Sequence, residues 1–179
     1  MLDLTVKNII MKKVTYNEKD NSETSELAGL IRKIDTLDAQ YVNRICEEIF
    51  KHQPFFLTVL LGYRADVSPQ ELEEIMKIYF LIWEYFGSNE NLPKRKVTQA
   101  QFEKLQRGNK HMLDYSEGEP EESREKIYTD TLQNLQSKSL WTAVLFRYNN
   151  RPVLINMDRE NKGIILLGIL SFIQSFETQ

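Results

Sequence analysis

The 179-residue sequence predicts a mainly α fold, a single-domain helical bundle of about six helices. Three observations carry that expectation. Helix-start signatures recur, as SPQE at 68–71 and TQAQ at 98–101. Apolar residues return at helical spacing across 69–86. The chain is also 41% apolar, enough to fill one substantial core at this length. A small β element is left open in two places, the N-terminal segment and 140–157.

Residues 1–24 read as a loosely attached N-terminal segment and 25–179 as the helical domain. Leu2, Leu4 and Val6 alternate as in a strand, but Ile9, Ile10, Met11 and Val14 break the period. The polar stretch NEKDNSETS then leads into SELAGLIRKI, the first helical pattern. A second helix spans about Leu37 to His52, with Tyr41, Val42, Ile45, Ile49 and Phe50 on its apolar side. Pro54 suits the first turn of a short third helix that stops at Gly62.

In SPQE, Ser68 caps, Pro69 takes the first helical position and Glu71 reaches back, opening a helix that Gly87 closes. At about 100° per residue, Leu72, Ile75, Met76, Tyr79, Phe80, Ile82, Trp83 and Phe86 form one broad apolar face. Ile78, Leu81 and Tyr85 carry that face round the back. The remaining polar strip, Glu73, Glu74, Lys77 and Glu84, is narrow and is expected to be solvated. This helix is therefore expected to be central, wrapped by the domain itself or covered in part by a partner.

TQAQ starts a further helix to about Leu113, with Phe102, Leu105 and Met112 inward. Pro120 and Glu119, Glu121 and Glu122 then match a helix N-terminus, where carboxylates complement the backbone dipole. The segment SLWTAVLFRYNNRPVLINMD has β-favouring residues and a plausible reversal at NNRP. Its continuous apolar run instead favours one helix carried on to about Tyr148, followed by an extended PVLINM connection. Asp158 caps the last helix. There Gly168, Ser171 and Ser175 share one side, which permits close backbone approach to another helix of the domain or to a second copy.

Chemistry-bearing motifs are scarce. The formal charge of −3 disfavours general nucleic-acid binding, although PKRKV at 93–97, with Lys104, Arg107 and Lys110, offers a local basic stretch over 94–110. His52 and His111 lack metal-ligand spacing, so no metal or other cofactor is predicted. His52 suits the end of its helix as a dipole complement. Cys46 is the single cysteine and reads as a small apolar core residue in a reducing, cytoplasmic setting. The glycines form neither a P-loop nor a dinucleotide turn, and no serine elbow occurs. No apolar run reaches the roughly 20 residues that span a bilayer, and the N-terminus lacks a leader pattern. No stretch carries a family signature.

The functional expectation is a non-catalytic module that binds another protein or itself, with Ile78, Leu81, Tyr85, Gly168, Ser171 and Ser175 as interface candidates. The alternative is a small enzyme or ligand-binding protein whose inter-helical pocket uses Tyr79, Trp83, Trp141 and Glu84. A third reading is local nucleic-acid contact through the 94–110 segment.

Overall fold

Side-chain caps start the helices where the sequence places them. Asp38 accepts the Tyr41 amide at 2.7 Å, and Thr98 accepts that of Gln101 at 3.2 Å. Asp158 accepts the amides of Glu160 at 2.9 Å and Asn161 at 3.1 Å. Ser68 and Glu71 close a reciprocal capping box, with the Ser68 amide donating to Glu71 at 2.7 Å and the Glu71 amide donating to the Ser68 hydroxyl at 3.3 Å.

The computed structural model describes Thr15 and residues 18–87 and 96–178. Among these, every regular element is helical: α1 (Glu18–Asp35), α2 (Ala39–His52), α3 (Pro54–Gly62), a 3-10 turn (Tyr63–Ala65), α4 (Pro69–Gly87), α5 (Gln99–Glu117), α6 (Glu121–Gln133), α7 (Lys138–Asn150), α8 (Pro152–Ile155) and α9 (Arg159–Glu177). Nine α-helices among the described residues exceed the six or so expected. One reason is that the predicted 121–148 helix is two. It breaks at Asn134–Ser137, where Leu135 turns into the core and the Ser137 amide donates to Glu177 at 2.7 Å. The other is α8, a short helix begun by Pro152 where an extended connection was expected.

The hairpin left open at 140–157 does not form. Leu140, Trp141, Val144, Leu145 and Tyr148 are all buried on α7, a spacing that only a helix brings to one side. The strand alternative for the N-terminal segment lies outside the described residues. Helix α1 starts at Glu18. Asp20 is already buried there, and its carbonyl accepts the Ser139 hydroxyl at 3.0 Å.

Helix α4 occupies the centre, packing against α1, α3, α7, α8 and α9. Ile75, Ile78, Tyr79, Phe80, Leu81, Ile82, Trp83 and Phe86 are buried on it. Each such side chain contributes about 1.5–3 kcal/mol of burial free energy, which makes α4 the main apolar anchor. An aromatic cluster joins it to α3, α5 and α9. Phe56 stacks on Tyr79 at 4.6 Å between centroids, and Phe172 meets Phe56 edge-on at 4.8 Å and Phe102 at 4.3 Å. The most extensive helix pairing is α5 with α9. The buried Gln53 sits at the α2–α3 corner, and its side-chain oxygen accepts the Val97 amide at 2.9 Å, tying the entry to α5 back to that corner.

Candidate functional site

The small-residue side of α9 lies inside the chain. Ser171 accepts a hydrogen bond from Asn109 of α5 at 3.1 Å and donates to the Leu167 carbonyl at 2.7 Å. Ser175 donates to the Ser171 carbonyl at 2.7 Å. A Cβ built on Gly168 would stand 2.4 Å from the Tyr63 hydroxyl, so this glycine is the point of closest approach. Ile78 and Leu81 are equally enclosed, at 0% and 1% exposure. Of the six interface candidates only Tyr85 is half-buried, with its ring edge-on to Phe86 at 5.0 Å. Burial raises the Tyr85 phenol above its ordinary range, so it stays protonated. A second copy would reach the other five only by opening the bundle.

On the polar strip of α4 Glu73 is exposed as the sequence suggests, whereas Glu74, Lys77 and Glu84 are half-buried. Arg147 of α7 is buried at 3% side-chain exposure and reaches Asp35 of α1 at 2.8 Å and Glu74 at 2.7 Å. Lys77 pairs with Glu73 at 2.7 Å and Glu74 at 2.9 Å, and Arg151 contacts Asp35 and Glu74 as well. Burial alone would push the Glu74 carboxyl up. The hydrogen bonds and charges of Lys77 and Arg147 outweigh that and hold it below its usual range. Burial likewise opposes the Lys77 charge, yet Glu73 and Glu74 keep the ammonium above its ordinary value. Three helices are thus pinned by one ionic network, and its carboxylates are spoken for.

Glu84 stands apart from that network. It accepts from Lys33 at 3.3 Å and from the Tyr41 hydroxyl. With Trp83 it lines an open cleft of about 650 Å³, together with Lys33, Arg44, Glu48, Lys51, His52 and Gly87. Two of the four residues expected to line a pocket therefore come together here. Tyr79 does not join them; it sits in the aromatic core and its hydroxyl faces that of Tyr63 at 3.4 Å. Trp141 is buried on α7 and is not among the residues lining the cleft. Sequence reasoning missed Arg44, Glu48 and Lys51. Their signal was present, because 44, 48 and 51 repeat at one helix face.

A second unread surface is α3. Its sequence PFFLTVLLG contains no charge, and Phe56 and Leu60 face inward. Thr58 and Leu61 are exposed and Pro54 is half-buried, a set that falls on the opposite side of the helix, while Leu57 flanks the core side and packs against it. Leu61 is 53% exposed, and Phe50 on the adjoining α2 is 67% exposed.

Other candidates gain less. Lys96, Lys104, Arg107 and Lys110 are exposed, Arg107 pairing with Glu103 at 3.6 Å, while Lys94 and Arg95 lie outside the described residues. Cys46 is half-buried and burial pushes its thiol up, away from the thiolate a nucleophile needs. Among the described residues no group of three or more His, Cys, Asp or Glu could hold a metal ion, and no helix is long and apolar enough to cross a membrane.

The fold and these surfaces define a mainly helical protein. Compared with known protein families, curated proteins and solved structures, the chain finds no match.

Proposed function

We propose that the chain is a protein-association module with no chemistry of its own, and that α3 provides its contact surface. The observation that supports this is the uncharged outward strip of α3, Pro54, Thr58 and Leu61, together with the exposed Phe50 near the end of the preceding helix. An outward helix face is ordinarily where a sequence spends its charges, and α3 has none. Covering the exposed halves of Leu61 and Phe50 would contribute about 1–2 kcal/mol each. Such side chains serve as anchors when a partner excludes water around them.

Sedimentation velocity across micromolar concentrations, paired with affinity capture, tests the proposal on wild type and on Leu61→Glu and Phe50→Glu. The expected result is loss of self-association or of captured partners in both variants, with unchanged helical circular dichroism. If every association survives both substitutions in folded protein, α3 is not the contact surface.

A further inference from the structure

The cleft between α1, α2 and the end of α4 holds side chains that the association surface does not use. Three permanent cations, Lys33, Arg44 and Lys51, face two carboxylates, Glu48 and Glu84. Arg44 pairs with Glu48 at 2.9 Å and Lys33 with Glu84 at 3.3 Å. Tyr41 holds the arrangement in place. Its ring carries Lys33 and Arg44, each at 4.7 Å from the centroid, and its hydroxyl donates to Glu84. Lys51 and His52 have no ion-pair partner among the described residues.

We propose that this cleft binds a small phosphate-bearing anion. Its volume, about 650 Å³, is in the range of small-molecule sites. The two resident carboxylates already satisfy one cation apiece. A tetrahedral oxyanion has oxygens enough to take Lys51 and share Lys33 and Arg44, which a further two-oxygen carboxylate does less well. The competing use of Lys51 and His52 is to complement the C-terminal dipole of α2, whose last turn they occupy. That use needs no ligand.

The test is a titration of the full chain with pyrophosphate, inorganic phosphate and citrate, followed by ¹H–¹⁵N NMR. Pyrophosphate is expected to shift the Trp83 indole and the amides of Lys51, His52 and Gly87 with saturation. Lys51→Gln should weaken it about fivefold or more, while Glu48→Gln, by freeing Arg44, should tighten it. Citrate binding as well as pyrophosphate would overturn the phosphate assignment. The site itself is refuted by no saturable shift at about 20 mM pyrophosphate, or by shifts that follow the basic face of α5 instead. It is equally refuted if Lys51→Gln lowers the melting temperature and leaves pyrophosphate binding unchanged, which is the dipole use alone.

Discussion

Replacing Gly168 by alanine sets two opposing terms against each other. In a helix interior alanine is favoured over glycine by about 1 kcal/mol. At this position the added methyl would stand 2.4 Å from the Tyr63 hydroxyl, about 1 Å closer than ordinary contact. Tyr63 is 9% exposed and its hydroxyl accepts from the buried Tyr79, so it does not swing away without losing that bond. Overpacking of this kind costs about 1–3 kcal/mol, and Gly168→Ala should therefore destabilise by up to about 2 kcal/mol net. Tyr63→Phe removes the offending oxygen. The next atoms, the Tyr63 ring carbon at 3.8 Å and Phe102 at 3.9 Å, are at ordinary contact distance. In that background the same Gly168→Ala change should turn neutral or stabilising, for a coupling of about 1 kcal/mol or more. Urea unfolding of the four proteins of the cycle measures it. Equal effects of Gly168→Ala in both backgrounds would refute the close approach of α9 to Tyr63 as the reason for a glycine there.

The ionic network supplies two more predictions. Arg147→Met leaves the half-buried Glu74 with Lys77 as its main partner and should cost about 3 kcal/mol by urea midpoint; Arg147→Lys should recover only part, because an ammonium is more strongly hydrated than a guanidinium and costs more to hold in the buried Arg147 position. Since the native pKa of Glu74 is depressed from 4.5, its contribution is full above about pH 4.5 and is lost as pH falls through the lower native value. Stability measured from about pH 6 down to pH 3 should thus fall less steeply in Glu74→Gln than in wild type; identical slopes would show that Glu74 is not linked to acid unfolding.

Local chemistry was legible wherever a single side chain acts on its own turn. Ser68, Thr98 and Asp158 cap as their positions suggest, and Pro54 and Pro69 open helices. Breaks that depend on distant groups were not legible. The interruption at 134–137 relies on Glu177, far along the chain, to take the Ser137 amide. The cleft was only half legible: Trp83 and Glu84 stood out on α4, but the cations facing them come from α1 and α2.

The sequence by itself determined that α4 must be surrounded, because eleven apolar residues over 72–86 leave too narrow a polar strip for a surface helix. It also determined that α9 offers a face of close approach at Gly168, Ser171 and Ser175. Only the tertiary structure decided what does the surrounding and what approaches. Periodicity describes one helix at a time, and a small residue permits contact without naming its partner. In the folded chain Tyr63 meets the α9 face at Gly168 and Asn109 of α5 meets it at Ser171, and α1, α3, α7, α8 and α9 enclose α4. Arg147 likewise turns the Glu74 side of α4 from an expected solvent edge into a buried ionic junction, since two carboxylates from different helices converge on a guanidinium that has left water.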